Sequence, residues 1–344
     1  MAAADAPATL SELRTDMLEK LKDVTGNSAI NTIIDRFLNQ ANQDMHEERW
    51  PWSERSATLR TVTPYSTGTV DVAVTNSTTR VTVTGTSTVW STTNSFGDAN
   101  VTARDKIILG DSAQVHIVST VAATSITLDS STPFTGDSAL DDASYTAYRD
   151  EYTPASDFSH PNPIDTRFFD RNRSIALVGR YEFYRMYPRN NVRGRPRHAT
   201  TIELGPSASV ALRPRIVLGP APDDTYVIPY LYTTTNLAVS TTGTLAANMS
   251  ATTDEPICPL KWRQGIVFKA LHLWYSSRQV NAELASQWKG AYDELILRAR
   301  AATGKADPRP RFVPQVSSYR AHYGRTRGRL SRYDGGTAYD EMRY

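Results

Sequence analysis

Hydrophobic positions near the start of the chain recur every three or four residues: Leu10, Leu13, Met17, Leu18, Leu21 and Val24, then Ile30, Ile33, Ile34, Phe37, Leu38, Ala41 and Met45. Residues at that period share one face of a helix. Thr9-Leu-Ser-Glu12 reads as a capping box for the first helix, its hydroxyl and carboxylate accepting from amides that lack an intrahelical partner. Gly26 offers a left-handed stop, and Pro51 cannot continue a second helix over Ser28–Glu48. Two short helices alone are marginal in water, so this hairpin needs a third surface.

From Thr58 to Pro256 the period falls to two. Val70, Val72 and Val74 alternate with polar neighbours, as do Val81 and Val83, with Asn76–Thr79 between them as a turn, which is a hairpin pattern. Further strand signals lie at Lys106–Leu109, Val115–Val121, Ser125–Leu128 and Tyr145–Tyr148, separated by Gly, Asp, Ser and Asn clusters. Short strands at this spacing predict a small antiparallel barrel or sandwich. Beyond the Pro- and Asp-containing stretch 150–163, strands are predicted at Arg173–Val178, Thr200–Leu204, Arg215–Leu218 and Thr225–Tyr232, the last with Tyr226, Ile228, Tyr230 and Tyr232 on one face.

Helical spacing returns over Pro259–Arg278 and Asn281–Ala302. The reading is an α+β chain in which helical hairpins at both ends come together as a four-helix layer, since each has an apolar face that would otherwise stay wet. Its parts are an N-terminal hairpin (1–56), a β domain (57–67 and 151–257), an inserted small barrel or sandwich (68–150), a C-terminal hairpin (258–303) and an extended arm (304–344).

Bulk composition narrows the classes. The 344 residues, 40% of them hydrophobic, suffice for more than one core, while a net charge of +2 argues against a dedicated nucleic-acid binder. A regional basic excess is read only in the arm. Cys258, the one cysteine, excludes an intrachain disulfide and a cysteine-cluster zinc site. No leader pattern opens the chain and no run approaches eighteen apolar residues, so a soluble protein made in a reducing compartment, without membrane contact, is expected.

The search for reactive constellations predicts no catalytic, cofactor or metal site. His46-Glu47 begins like a zinc-protease helix, but Trp50 stands where the second ligand would be. The carboxylate pairs Asp141-Asp142, Asp223-Asp224 and Asp254-Glu255 lie among turn-forming residues and read as solvated turns. His272 reads as a structural imidazole and Cys258 as a small apolar residue. Trp50, Trp52, Trp262, Trp274 and Trp288 fall at helix ends and faces, where core or subunit packing is the simpler role.

The arm is different in kind. It carries Arg309, Arg311, Arg320, Arg325, Arg327, Arg329, Arg332 and Arg343, interleaved with Tyr319, Tyr323, Tyr333, Tyr339 and Tyr344, and almost no Leu, Ile or Val. Ordering costs roughly 1 to 2 kcal/mol per residue, which such a segment cannot recover by itself. A solvated tail, an acidic protein groove and a nucleic-acid backbone all remain open as readings. Asp334, Asp340 and Glu341 favour the protein groove, because they would repel phosphate.

In their order, these segments resemble the head-to-tail adaptor proteins of short-tailed bacteriophages, which sit beneath the portal. The resemblance covers nearly the whole chain. It rests on the helical pair closing with Asn39-Gln-Ala-Asn-Gln-Asp-Met45 and Arg49-Trp-Pro-Trp52, then Val81-Thr-Val-Thr-Gly-Thr-Ser87 with Trp90. Tyr148-Arg-Asp-Glu-Tyr152 with Asp157-Phe158 follows, then Arg215-Ile-Val-Leu-Gly-Pro-Ala-Pro-Asp223 with Tyr226–Tyr232, and Pro256–Pro259 before the last helices. It implies a ring of twelve copies at the portal–tail junction of the virion, holding portal protein on one side and a downstream tail or nozzle protein on the other. Passing double-stranded DNA would be touched non-specifically. Residues 259–302 would then carry subunit contacts, with Trp262, Trp274, Trp288 and Tyr292 in the interface. The arm would bind the portal through Arg309, Arg311, Tyr319, Arg320, Tyr323, Arg325, Arg327, Arg329, Arg332 and Tyr333.

The runner-up is a tail-fibre or receptor-binding module, in which Thr/Ser-rich strands and Tyr226, Tyr230 and Tyr232 present a glycan-binding face. A third reading is a tail-associated glycosidase using Asp223 or Asp224.

Overall fold

The computed structural model describes residues 7–21, 27–161, 167–170, 173–188, 191–203, 214–278 and 281–303. The chain divides into two compact units, Met1–Lys289 and Gly290–Tyr344. The arm (304–344), the last apolar position of the first helix at Val24 and the expected stop at Gly26 lie outside the described residues.

Two helices open the first unit, α1 (Leu10–Leu21) and α2 (Ser28–Glu47). The capping box forms, with the Glu12 amide directed at Thr9 Oγ1 and Glu12 Oε2 reaching back to the Ala8 amide at 2.6 Å. Backbone carbonyls of Asp254 and Thr252 accept from the Leu10 and Ser11 amides, so the last loop of the β region also caps α1. Asn27 caps α2 by accepting from Ile30 N at 2.9 Å.

The third surface this hairpin needs is α4 (Gln264–Arg278). Helix α4 packs on both α2 and α1. Trp274 meets Phe37 edge-on at 5.7 Å, Lys269 pairs with Asp44, and Gln264 donates to Asp16. Arg14 holds Asp35 with two hydrogen bonds between α1 and α2. The last helix, α5 (Ala282–Ala302), begins in the first unit, where Trp288 lies nearly parallel to Phe268 at 5.6 Å. Gly290–Thr303 are the described part of the second unit, and there Ile296 and Ala299 are buried while Leu297 is exposed.

The β region consists of nested units. Strand β1 (Glu54–Arg60) pairs antiparallel with β15 (Val227–Thr234) along its full length, so everything between is enclosed by that pair. Inside it, β2 (Thr69–Val72), β3 (Thr82–Thr86), β4 (Lys106–Leu109), β5 (Val115–Val121), β6 (Ser125–Leu128), β7 (Leu140–Ala143) and β8 (Tyr145–Tyr148) make one sheet in the order β7-β2-β3-β6-β5-β4-β8. All its pairings are antiparallel. Its edge strands β7 and β8 are separated in sequence by Ser144 alone, which forces the sheet to curl into a partial barrel. Val70, Val72, Val83, Trp90, Ile107, Leu109, Ile126 and Leu128 fill its interior. Gly85 leaves the space Trp90 occupies: a Cβ there would come within 2.5 Å of the indole.

The outer β unit is a sandwich. One sheet runs β1-β15-β10, with β10 at Phe158–Pro161. The other runs β11-β12-β13-β14-β9, from β9 (Glu151–Tyr152), β11 (Arg167–Asp170), β12 (Arg173–Leu177), β13 (His198–Glu203) and β14 (Pro214–Gly219). It is mixed, because β12 and β13 pair in parallel around a connection that contains α3 (Arg180–Met186). Leu59, Phe158, Ile228, Tyr230 and Tyr232 from the first sheet share one core with Tyr152, Ile175, Ala199, Ile216 and Leu218 from the second. A small sheet of β16 (Ala238–Val239), β17 (Leu245–Ala246) and β18 (Glu255–Pro256) joins the sandwich to the helices. Asn39 exchanges two hydrogen bonds with the Met249 backbone, and Asn42 donates to the Leu237 carbonyl.

Candidate interaction surfaces

The four aromatic residues expected between subunits have different surroundings. Trp274 is 5% exposed and packs inside this chain against Phe37. Trp262 is half-buried with the Lys261 ammonium 5.0 Å from its ring, and Trp288 is half-buried on Phe268. Tyr292, in the second unit, is half-buried. His272 is half-buried, its Nδ1 3.0 Å from the Ala285 carbonyl, a contact from α4 to the start of α5. The ten residues expected to bind a portal all lie outside the described residues.

The tyrosine face proposed for glycan contact is closed. Tyr230 and Tyr232 point into the sandwich at 3% and 5% exposure; Tyr230 Oη accepts from the Ala155 amide and Tyr232 Oη donates to Asp157. Burial alone would raise the Asp157 carboxyl, but hydrogen bonds from Thr234 and Tyr232 outweigh it and hold the group below its ordinary value. Tyr226 remains half-buried, donating to Asp223 at 2.7 Å, and burial together with that carboxylate pushes its phenol up to about 12.

Two of the three carboxylate pairs are not the solvated turns expected. Asp141 and Asp142 lie in edge strand β7, where Asp142 accepts from Thr69 and its amide donates to Asp71. Asp254 is buried and accepts from the amides of Ser250 and Ala251, bonds that hold its carboxyl below the ordinary value. Glu255 pairs with Arg263 at 2.9 Å. Asp223-Asp224 does form a turn, with Asp224 accepting from the Thr225 amide.

A cavity of about 620 Å³ lies where the curled sheet meets the sandwich, lined in part by Arg60, Arg104, Arg149 and Arg215. Its guanidinium groups are engaged: Arg104 with Glu151 at 2.7 Å, Arg60 with Asp98 at 3.2 Å, and Arg149 with Asp105 through bonds of 2.8 and 2.9 Å. Burial raises the Asp105 carboxyl even with Arg149 beside it. The Arg104–Glu151 and Arg60–Asp98 pairs tie the curled sheet to the sandwich, while Arg149–Asp105 closes the end of the β4–β8 ladder.

The expectation that basic excess is confined to the arm needs correction. Between Arg167 and Arg215 the sequence holds eleven arginines against Asp170, Glu182 and Glu203, a surplus of eight. The low net charge of the whole chain hides it; a windowed charge count would have found it. Helix α3 sits at its centre, anchored by Phe183, which is fully buried with Ile202 and Val217. That anchor turns Arg180, Tyr181 and Arg185 outward, all exposed, with Tyr181 at 84%. Arg180 also lies over the Tyr184 ring at 5.9 Å. Arg193 and Arg197, in the connection to β13, are exposed as well.

No protein-family model matches the chain, and no curated protein is significantly similar to it in sequence.

Proposed function

We infer that this chain is a structural virion protein, the ring adaptor that continues a portal channel toward the tail for genome retention and ejection. Its supports are the residue order described for the adaptor resemblance and one structural observation: helices from the two ends of the chain, α2 and α4, pack on each other through Phe37 and Trp274. A compact helical base of this kind is what an adaptor needs at its ring. In the finer picture, α5 completes a four-helix layer on that base. Trp262, Trp288 and Tyr292, each only half-buried in the single chain, supply area that a neighbouring copy covers. Head-to-tail contacts of this sort close into a ring when their rotation divides a full turn, and twelve copies is the number the resemblance implies. The arm, poor in aliphatic residues, gains its order on the portal, and a nozzle protein binds the opposite side.

Electron microscopy of the purified full chain mixed with its portal protein tests this reading. A coaxial ring seated on the portal is expected, and it should fail to form when residues 304–344 are removed. Normal seating without those residues, or a chain that never forms a ring on portal, overturns it.

A further inference from the structure

Six arginines of the described chain differ from those of the α3 face in what they touch. Arg14, Arg60, Arg104, Arg149, Arg263 and Arg298 each hold a carboxylate within 3.2 Å. Among the described residues, no carboxylate pairs with Arg180, Arg185, Arg193 or Arg197. Two acids of the adjoining β units are already committed, since Glu151 is held by Arg104 and Asp150 by Lys106. Glu182 is the one acid in α3 itself. The Gly219 carbonyl accepts from the Arg197 amide at 2.9 Å, and the rings of Phe183 and Tyr187 close over Gly219, so the loop arginines and α3 border the same end of β14.

We propose that this face, formed by Arg180, Tyr181, Arg185, Arg193 and Arg197, binds the phosphodiester backbone of nucleic acid without regard to sequence. Guanidinium groups match phosphate oxygens two at a time, and unpaired cations held in place by a rigid scaffold lose little freedom on binding. Phe183 beneath α3 and the backbone bonds that Ala221 makes with Gly194 and Val192 provide that scaffold. Tyr181, standing in solvent between two arginines, adds a ring on which an unpaired base can stack. An acidic protein surface is the competing partner. The face also exposes Met186 and Val192, and Glu182 is its one acid in α3; phosphate is favoured because four guanidinium groups stand against that single carboxylate, a net positive charge that a polyanion meets along its whole length.

The face is argued from charge and holds whichever assembly the chain joins. Fluorescence anisotropy of the full chain with a labelled DNA duplex of random sequence, over a range of salt concentrations, measures both affinity and its salt slope. Replacing all four arginines, Arg180→Gln, Arg185→Gln, Arg193→Gln and Arg197→Gln, is expected to weaken binding at least about tenfold at low salt. The slope of log affinity against log salt should shrink by about two to four. Lysine at the same four positions should restore most of the slope, which separates loss of charge from loss of fold. Tyr181→Ala should weaken a single strand and leave the duplex unchanged. An unaltered slope in the glutamine variant overturns the proposal, and places any DNA affinity elsewhere, as in the arm. Competition by polyglutamate as effective as competition by DNA also overturns it, in favour of an acidic protein. A glutamine variant that loses DNA yet still seats on the portal leaves the adaptor reading intact.

Discussion

The indole N–H of Trp52 donates to His46 Nε2 at 3.1 Å, while His46 Nδ1 donates to the Asn42 carbonyl at 2.7 Å. Both ring nitrogens are thereby used by the neutral imidazole, and a second proton would meet the Trp52 donor. Burial, only partly opposed by the Asn42 bond, lowers the His46 value to about 4. A folded-state value below the unfolded one, near 6.5, means that the contribution is complete above pH 6.5 and is lost as pH falls toward 4. Full loss amounts to roughly 3 kcal/mol. Urea unfolding at pH 7 and pH 4.5 should show a larger drop for the native chain than for His46→Gln, because carboxylates titrate equally in both. Equal drops would mean that His46 carries no such linkage.

Arg149 and Asp105 form a buried ion pair where the curled sheet meets the sandwich. Arg149→Met should destabilise the chain by about 3 to 5 kcal/mol, since it strands a carboxylate away from water. Adding Asp105→Leu to that variant should recover most of the loss. Chemical denaturation of the single and double variants decides this; a double variant no better than Arg149→Met contradicts the desolvation argument.

Inside the curled sheet, Trp90 donates to Tyr145 Oη at 2.8 Å, and Tyr145 in turn donates to the Thr67 carbonyl at 2.6 Å. Tyr145→Phe removes the acceptor for a fully buried indole and is expected to cost about 1 to 3 kcal/mol. Gly85→Ala should cost a similar amount by crowding the same ring. Thermal unfolding of both variants reads the effect, and a midpoint unchanged in Tyr145→Phe would mean the indole finds another acceptor.

The Phe37–Trp274 contact joins the two ends of the chain. Trp274→Ala should destabilise by about 3 to 5 kcal/mol and expose α4 to proteolysis. Limited digestion followed by mass spectrometry would locate the first cut; cleavage in the sandwich before α4 would argue against α4 as the weakened element.

The sequence announces elements that bury one face and hides those that do not. Strands β4, β5, β6 and β8 have the bounds read from alternation, because Ile107, Leu109, Val118, Ile126 and Tyr145 all point inward. Strand β7 carries two exposed aspartates and so resembles a turn; its place is set by pairing with β2 across the curl. Strand β1 buries one side chain deeply, Leu59, and is fixed by its register with β15, a partner far away in the chain. Helix α3 has a single buried residue, too few to display a helical period. The same lack of burial is what leaves its arginines exposed. Trp274 shows the limit for site residues: an aromatic on a helix face reads the same whether the surface covering it belongs to its own chain or to another.

Tyr65 and Ala147 exchange backbone hydrogen bonds, each amide donating to the other's carbonyl at 2.8 Å, so the paths into and out of the curled sheet lie side by side. The seven strands beyond that neck form a cassette on a stem two chains wide. Such a stem can be closed by a short turn, leaving β1 and β15 in register. Exchange of the cassette would therefore change what the curled sheet presents while the framework that carries it keeps its path.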